Sequence, residues 1–327
     1  MISAPLFAAI LATGLAASQP AILPPVPDVH EAIAELPDAK IATDTEIVIS
    51  TADRYERMTV PVTVEGQGPF QFMIDTGSQA TVVSRGLSDR LQLEIVGSAI
   101  VVGMASRVPV QLVELNGLEF AARVFDNISA PLLEANHIGA DGILGLDSLQ
   151  DMRVMIDFRA ETIAVDTARQ LGGNRGYEIV VRARRKLGRL IITDAVIDGV
   201  KTSVIIDTGA QSSIGNLALR RKLRGRNEGA STATDVNGGT VIGTVLVAKS
   251  LKISSLQLKN TAIMFSDSPA FEALGLGDRP ALILGMRNLR LFDRVAIDFE
   301  SRQVLFDVPS EALSGTLPIR STSATRL

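Results

Sequence analysis

The tripeptide Asp-Thr-Gly occurs twice in this 327-residue chain, each time directly after an apolar run. The first copy, Asp75-Thr76-Gly77, lies in FMIDTGSQA, and the second, Asp207-Thr208-Gly209, lies in VIIDTGAQS. A carboxylate at the end of a buried strand is costly unless nearby groups compensate for the lost hydration. Two such carboxylates at matching places suggest a shared purpose rather than two ordinary turns.

Two carboxyl groups held close together have a well-defined chemistry. They cannot both ionise, so the pair holds one proton between them. One member can then deprotonate a water molecule while the other donates a proton to the carbonyl group that the water attacks. If the fold brings Asp75 and Asp207 together, the pattern predicts hydrolysis by an activated water molecule.

The residues that follow the two aspartates suit this arrangement. Gly77 and Gly209 have no Cβ, so backbone N–H groups can approach the carboxylates closely. The hydroxyl groups of Thr76 and Thr208 can reach the opposite turn and hold the two turns together. We expect these four residues to support the two catalytic loops.

The next position differs between the two copies. Ser78 can add a hydrogen bond to Asp75, whereas Ala210, at the equivalent position, cannot do the same for Asp207. Both residues are expected to belong to the catalytic loops, but their difference predicts that the pair of aspartates is slightly asymmetric.

Further phrases recur in the same order, which indicates a duplicated unit. DGILGLDSL at 141–149 is echoed by ALILGMRNL at 281–289, and MIDFRAETIAV at 155–165 is echoed by AIDFESRQVLF at 296–306. The units are too long for a solenoid of short period. Each copy of the first phrase holds two apolar residues closed by a glycine that permits close backbone packing: Ile143, Leu144 and Gly145, and Ile283, Leu284 and Gly285.

Short β-type runs bounded by Gly, Asp and Asn fill the chain from about residue 46. Glu65-Gly66 and Asp198-Gly199 each join two such runs, which predicts two hairpins. Helix signals are brief and cover residues 86–92, 131–137, 216–223 and 268–274. The sequence predicts a mostly β protein with two similar lobes, in which a pseudo-twofold axis would bring the two Asp-Thr-Gly turns face to face.

The paired Asp-Thr-Gly turns and the paired apolar-apolar-Gly phrases make the chain resemble the aspartic peptidases. It is more similar to the bacterial retropepsin-like branch, fused into one chain, than to the longer pepsins. The resemblance covers roughly residues 46–308, and its paired motifs are specific. It implies the acid-protease fold, with two β-barrel-like lobes, a cleft between them, and the apolar-apolar-Gly strand passing behind each catalytic loop in a ψ-shaped crossing.

The same resemblance implies an aspartic endopeptidase whose catalytic residues are Asp75 and Asp207. Such an enzyme hydrolyses peptide bonds without a metal, a cofactor or a covalent intermediate. It holds an extended polypeptide, largely by backbone hydrogen bonds. We expect a monomer in which the two lobes form a pseudo-dimer within one chain.

Flaps over the cleft are a further implication of the resemblance. The candidates are Gly103-Met104-Ala105-Ser106 in the first half and Asn237-Gly238-Gly239-Thr240 in the second. Both are small and flexible, as a moving lid requires. Neither Tyr55 nor Tyr177 lies where a pepsin-like flap would carry its tyrosine, so the flaps resemble those of retropepsins.

Composition narrows the remaining chemistry. The chain has no Cys, which excludes disulfides, thiol nucleophiles and thiolate metal sites. Its two histidines, His30 and His137, are not at ligand spacing, so we expect no metal site. The net charge of −4 gives no reason to expect nucleic acid as a partner. Basic residues from Arg182 to Arg189 and from Arg220 to Arg226 are interpreted as solvated loops and a polar helix face.

The ends of the chain suggest an exported protein. Residues 1–18 have the apolar run and small residues of a signal peptide, although no Lys or Arg precedes the run. Residues 19–45 form a Pro/Ala-rich arm or linker, 46–170 the N-terminal lobe, 171–310 the C-terminal lobe and 311–327 a flexible tail. We expect a periplasmic or extracellular location.

Other interpretations remain at this stage. The main alternative is a catalytically inactive peptide-binding protein on the same two-lobe scaffold. A plainer one is a duplicated scaffold whose Asp-Thr-Gly turns only satisfy themselves. Asp157 and Asp298 also follow apolar runs, but each opens a hairpin turn, which favours a structural role. A Ser-His-Asp hydrolase is disfavoured because GAQSSIG lacks the Gly-x-Ser-x-Gly elbow.

Overall fold

The computed structural model describes residues 58–121, 123–225 and 229–309, together with the backbone of three short strands nearer the N-terminus. The predictions for the arm at 19–45, for His30, and for the tail at 311–327 lie outside these residues, as does most of the predicted leader. No helix within the described ranges has the length and apolar character needed to cross a membrane. The described part of the chain is mostly β, as the sequence predicts.

The first half of the chain forms one curled sheet of eleven strands, counted over the described residues. Its order is β1-β7-β8-β11-β6-β12-β5-β4-β9-β10, with β3 beside β4. Numbered along the chain, these strands are β1 (Phe7–Ala9), β3 (Thr51–Ala52), β4 (Met58–Val64), β5 (Gln67–Ile74), β6 (Val82–Ser84), β7 (Ile95–Val102), β8 (Arg107–Leu115), β9 (Leu118–Phe120), β10 (Arg123–Phe125), β11 (Ile128–Leu133) and β12 (Gly142–Leu144).

The second half forms a sheet of eight described strands in the order β16-β17-β18-β23-β19-β22-β21-β20. An additional pairing between β17 and β21 closes part of this sheet into a barrel. Its strands are β16 (Arg184–Lys186), β17 (Arg189–Ile197), β18 (Val200–Ile206), β19 (Ile214–Gly215), β20 (Gly229–Thr234), β21 (Thr240–Ile253), β22 (Leu256–Phe265) and β23 (Ala281–Leu284).

A third sheet joins the two halves. Its six described strands follow the order β15-β25-β24-β13-β14-β2. They are β2 (Ile47–Ile49), β13 (Arg153–Asp157), β14 (Thr162–Asp166), β15 (Ile179–Arg182), β24 (Arg294–Asp298) and β25 (Gln303–Asp307). The three strands of the second half, β15-β25-β24, lie side by side and are followed by the three strands of the first half, β13-β14-β2, so the halves meet at the pair β24–β13. The lobe limits at 46–170 and 171–310 stay a prediction.

The centre of the third sheet displays the duplication directly. The equivalent strands β13 and β24 pair antiparallel, with Arg153 opposite Asp298 and Asp157 opposite Arg294. Arg153 Nη2 lies 2.7 Å from Asp298 Oδ2 in a buried ion pair. Asp157 Oδ1 accepts from the N–H groups of the turn that it opens. The structural role expected for these two aspartates is confirmed, and Asp298 additionally compensates a buried guanidinium.

Both predicted Gly-containing hairpins form. Glu65 and Gly66 have φ values of 51° and 71°, and Asp198 and Gly199 have φ values of 45° and 85°. Two successive left-handed residues are typical of the two-residue turn whose twist matches that of the flanking strands. The turns connect β4 to β5 and β17 to β18, and β5 and β18 are the strands that lead to the two Asp-Thr-Gly copies.

The helices are short, and one predicted range is wrong in its first half. The described helices are α1 (Arg85–Leu91), α2 (Ala135–Ile138), α3 (Leu146–Leu149), α4 (Leu217–Arg220), α5 (Pro269–Ala273) and α6 (Met286–Leu289). The helix expected at 131–137 begins only at Ala135, because Pro131 to Leu133 are buried in β11. Helices α3 and α6 were not predicted; each is a single turn that follows the glycine of an apolar-apolar-Gly phrase.

Candidate active site

Each Asp-Thr-Gly copy begins where a central strand ends. Strand β5 ends at Ile74 and runs parallel to β12, while β18 ends at Ile206 and runs parallel to β23. The N–H of Asp75 donates to Leu144 O at 3.1 Å, and the N–H of Asp207 donates to Leu284 O at the same distance. The two apolar-apolar-Gly strands therefore lie directly beside the strands that carry the aspartates.

Gly145 and Gly285, which close the two phrases, lie against the backbone that follows the Asp-Thr-Gly turn of the same half. A Cβ on Gly145 would lie 2.8 Å from Thr81 N, and a Cβ on Gly285 would lie 2.6 Å from Ala210 O. Real Cβ atoms do not approach backbone atoms so closely. The tight crossing behind each Asp-Thr-Gly turn therefore requires glycine at both positions.

The two aspartates are fully buried and have matching backbone contacts. Asp75 Oδ1 accepts from Gly77 N at 2.8 Å and from Ser78 N at 3.0 Å. Asp207 Oδ1 accepts from Gly209 N at 2.9 Å and from Ala210 N at 3.1 Å. In each aspartate, Oδ1 is thus held by two N–H donors of its own turn, and these bonds fix the orientation of the carboxyl group.

The outer oxygens of the two carboxyl groups are the Oδ2 atoms, which lack the backbone donors that each Oδ1 has. Asp75 Oδ2 and Asp207 Oδ2 are buried, and neither receives a donor from the described residues when both groups are ionised. The two carboxyl groups lie within hydrogen-bonding reach of each other. A single proton shared by the two carboxyl groups would give the pair the donor that it lacks, as expected for two carboxyls in a small space.

Burial and mutual repulsion set the protonation of the pair. Burial raises the pKa of Asp75 to about 6, although the N–H of Gly77, the hydrogen bond with Asp207 and the charge of Arg189 act in the opposite direction. Burial also raises the pKa of Asp207 well above its usual range, and the neighbouring Asp75 charge raises it further. Burial raises the pKa of both members, and the Asp75 charge raises that of Asp207 further, so the pair as a whole keeps one proton at a pH at which a free aspartate has lost it.

The glycine of each turn packs against the aspartate of the other half. A Cβ on Gly77 would lie 2.5 Å from Asp207 Cγ, and a Cβ on Gly209 would lie 2.7 Å from Asp75 Oδ1. Neither position therefore accommodates a side chain without displacing a carboxyl group. From the sequence, we expect glycine at these positions because backbone N–H groups approach the carboxylates closely. The structure shows a second reason, since the absence of a Cβ also lets the carboxyl group of the other half lie against each glycine.

The two threonines connect the turns by reciprocal hydrogen bonds. Thr76 N donates to Thr208 Oγ1 at 3.0 Å, and Thr208 N donates to Thr76 Oγ1 at 3.2 Å. Their hydroxyls donate onward to the strand ends of the opposite half, at Ile206 O and Ile74 O. This buried network fixes the two turns relative to each other, as expected from the sequence.

The predicted hydroxyl contact of Ser78 is wrong. Ser78 Oγ donates to Ala80 O at 2.8 Å, and only the backbone N–H of Ser78 reaches Asp75. Ala210 supplies the same backbone donor to Asp207. The serine hydroxyl is drawn away because a carbonyl two residues later lies within its reach, so Ser78 and Ala210 do not create the asymmetry of the pair.

A buried arginine lies beside the pair, and the sequence interpretation missed it. Arg189 was grouped with solvated basic residues, yet it is fully buried at the start of β17 and its Nε donates to Gly77 O at 2.6 Å. Burial lowers the pKa of Arg189 to about 10, and the charges of Asp207 and Asp75 raise it. A sequence signal existed: Arg57 and Arg189 each lie eighteen positions before the aspartate of their own half.

The two flap candidates meet each other in the structure. The first is the turn between β7 and β8, and the second lies between β20 and β21. Asp235, which precedes the second candidate, accepts from Ala105 N at 2.9 Å and from Ser106 Oγ at 2.8 Å through Oδ2. Asn237 Nδ2 adds a bond to Ser106 Oγ at 3.0 Å. The sequence interpretation missed Asp235, which holds the tips of two unlike flaps together.

The glycines of both flaps lie at these contacts. A Cβ on Gly103 would lie 2.8 Å from Asp235 Cγ, and a Cβ on Gly239 would lie 3.0 Å from Ser106 Oγ. Gly238, at a φ of +80°, lies against the ring of His137 from helix α2 of the first half. The flap glycines therefore permit contact between the halves as well as backbone bending.

Each flap places one apolar side chain in the opposite half. Met104 is buried in a cluster that includes Ile205 and Ile283, next to the second Asp-Thr-Gly turn. Val236 is buried in a cluster that includes Met73 and Ile143, next to the first. Since side chains alternate along a strand, these four residues lie on the opposite sheet face from the main core. The flaps therefore cover the apolar faces beside both aspartates.

The described residues contain no cluster of side chains suited to a metal ion. No group of three or more His, Asp or Glu side chains in these ranges is arranged to hold a metal ion. His137 instead packs against Gly238 of the second flap.

Comparison with protein families agrees with the geometry in both halves. Residues 60–151 match a family model described as "gag-polyprotein putative aspartyl protease". Residues 193–287 match a second model, described as "Aspartyl protease". The first range contains Asp75 and the second contains Asp207, and together the ranges span more than half of the chain. A search of curated proteins gave no match.

Proposed function

We propose that this chain, which belongs to the retropepsin-like aspartyl proteases, is an endopeptidase that hydrolyses peptide bonds with a water molecule activated by Asp75 and Asp207. The observation that supports this most strongly is the pair of buried carboxyl groups that lie within hydrogen-bonding reach of each other and whose outer oxygens have no donor among the described residues. Each group is oriented by two backbone donors of its own turn. A scaffold whose turns only satisfied themselves would not leave two buried outer oxygens without donors.

The reaction assigns different roles to the two aspartates. In this proposal Asp75 is the ionised member, which removes a proton from the water as the water attacks the peptide carbonyl carbon. Asp207 is the protonated member, which donates its proton to the carbonyl oxygen. The tetrahedral intermediate then collapses: Asp75 gives the proton that it took from the water to the nitrogen of the scissile bond, the C–N bond breaks, and Asp207 takes back a proton from a hydroxyl group of the intermediate, which becomes the product carboxyl group. Both carboxyls finish in the state in which they began.

We propose that the polypeptide lies extended between the two halves, beneath the flaps. The aspartyl protease family implies a polypeptide substrate. The faces beside the dyad carry aliphatic side chains and Met, with Met73 and Ile143 on one side and Ile205 and Ile283 on the other. Met104 and Val236 of the flaps cover these faces, so a substrate would contact them once the flaps move. Apolar walls of this kind would favour aliphatic or medium-sized residues at the cut, although each methylene discriminates by only about 1–3 kcal/mol.

The alternative, a catalytically inactive peptide-binding protein, predicts the same binding without turnover. Digestion of a fluorogenic peptide library by the full chain, at several pH values, distinguishes the two. We expect cleavage with an optimum at acidic to mildly acidic pH, because losing the shared proton or adding a second one removes one of the two roles. Binding of peptides without cleavage at any pH would favour the inactive scaffold.

We also propose that the protein is exported and acts as a monomer. The apolar run and small residues at 1–18 support export, and two Asp-Thr-Gly turns in one chain supply a complete pair without a second copy. The N-terminal sequence of protein isolated from its native host tests the first point, with a mature start near Gln19 expected. Intact Met1 on protein from the cytoplasm would contradict it.

A further inference from the structure

We propose that Arg189 is a positioning residue for Asp75, acting through the peptide group that joins Gly77 to Ser78. This inference rests on the proposed function, since it assigns a role within the same catalytic pair. Arg189 comes from the second half of the chain, whereas the peptide group belongs to the Asp-Thr-Gly turn of the first half. The contact is therefore made across the interface between the two halves.

The hydrogen bonds form a short relay. Arg189 Nε donates to Gly77 O at 2.6 Å, and the N–H of the same peptide group, on Ser78, donates to Asp75 Oδ1 at 3.0 Å. A cation at the carbonyl oxygen polarises the peptide group and makes its N–H a stronger donor. Asp75 in its ionised form accepts this bond more favourably than in its protonated form. Arg189 thereby favours ionisation of Asp75 and fixes the direction of its carboxyl group.

The hairpin that carries Arg189 rests on the first half of the chain. Strands β16 and β17 pair around the turn at Leu187-Gly188. Gln79 Nε2 donates to Leu187 O at 3.1 Å, and a Cβ on Gly188 would lie 3.2 Å from Leu146 Cδ1. These contacts fix the start of β17 beside the first Asp-Thr-Gly turn. The position of the Arg189 guanidinium is therefore set by the hairpin, and not only by the flexible methylene chain of its side chain.

The charges around Asp75 indicate the sign of the effect. Among the charged side chains of the described residues, those with the largest effects on Asp75 are Asp207, through a hydrogen bond, and Arg189, through its positive charge. The charge of Arg189 lowers the pKa of Asp75 and also that of Asp207, against the larger effect of burial. Removing the positive charge should therefore move both limbs of the pH–rate profile to higher pH.

The test is the pH dependence of kcat and kcat/KM for the full chain with Arg189→Met and Arg189→Lys. We expect the acidic limb to move upward by about half a pH unit or more in Arg189→Met. Arg189→Lys keeps the charge without the planar fork of donors, so its limb should move less. Arg153→Lys is the matched control: Arg153 is also buried, but it pairs with Asp298 in the sheet that joins the halves. This control should lose stability while its pH profile keeps its position.

A second measurement keeps the inference separate from the proposed function. Carbon-13 NMR of the aspartate carboxyls, with the Asp75 signal assigned by its loss in Asp75→Asn, follows the titration of Asp75 without any turnover. If the wild type hydrolyses no peptide, the proposed function fails, and the NMR titration still tests Arg189. An Asp75 titration that is unchanged in folded Arg189→Met, or in Arg189→Lys if the first variant does not fold, would overturn the inference. An upward shift confined to the Arg189 variants would support it.

Discussion

Replacing Asp75 by Asn should stabilise the protein at neutral pH, even though it removes a residue of the proposed dyad. Burial raises the pKa of Asp75 from 3.8 to about 6. At about 1.36 kcal/mol for each pKa unit, ionising this buried group costs roughly 3 kcal/mol in the folded state. Asparagine carries no charge, and its amide N–H can supply the donor that the shared proton otherwise supplies.

The sign of the pH dependence follows from the direction of the shift. Because the folded-state pKa of Asp75 lies above its unfolded value, the stability contributed by its proton is fully present below about pH 3.8. That contribution is lost as the pH rises through about 6. The advantage of Asp75→Asn should therefore be small near pH 4 and grow to roughly 3 kcal/mol at pH 7.5. With an unfolding entropy of about 2.1 cal/mol/K for each residue, this corresponds to a rise in Tm of roughly 4–6 °C for a protein of this size.

Urea unfolding of the wild type and of Asp75→Asn, at half-unit steps from pH 4 to pH 7.5, measures this difference. The matched control is Asp298→Asn, which weakens the buried ion pair with Arg153 instead of relieving a repulsion. This control should lose stability at every pH in the range. An advantage of Asp75→Asn that does not change with pH, or a loss of stability at pH 7.5, would refute the assignment of a raised pKa to Asp75.

Three further predictions concern packing, the flaps and specificity. Gly77→Ala should abolish turnover, because the new Cβ would lie 2.5 Å from Asp207 Cγ. Gly86→Ala is the control and should leave kcat unchanged, since its Cβ would have no neighbour within 4 Å; equal kcat values in the two variants would contradict this prediction. Asp235→Ala removes the acceptor of Ser106 Oγ, so it should raise both the KM for long peptides and the rate of proteolytic nicking at the flap tips. If KM and the nicking rate do not change, the contact between the flaps is incidental. A peptide library should be cut beside aliphatic residues, and preferred cutting beside Lys, Arg or Asp would contradict the apolar pockets.

Local signals in the sequence were enough to predict the framework of the site. Asp198-Gly199 specifies a turn with two left-handed residues, whatever packs around it, so the hairpin leading to Asp207 could be predicted. The repeated phrases placed Gly145 and Gly285 at equivalent positions, and the tight crossings there follow from the need for bare backbone. Where a feature depends on a short stretch of chain and recurs in both halves, the sequence was sufficient.

Features that depend on contact between the halves could not be predicted in the same way. Arg189 stands among basic residues that are solvated in most proteins, and only the docking of its hairpin onto the other half buries it. The role of Asp235 depends on the first flap reaching it from residues 105–106. Pro131 to Leu133 fell within a predicted helix, but burial on a sheet imposes an extended backbone there.

The central claim is that Asp75 and Asp207 act as one catalytic unit, and peptide turnover by four proteins tests it most directly. These are the wild type, Asp75→Asn, Asp207→Asn and the double variant, each with its Tm measured to show that it is folded. We predict that either single change lowers kcat by about 10³-fold or more, and that the double variant is no worse than either single one, because residues that act as a unit are strongly non-additive. Substantial turnover in either folded single variant would contradict the account.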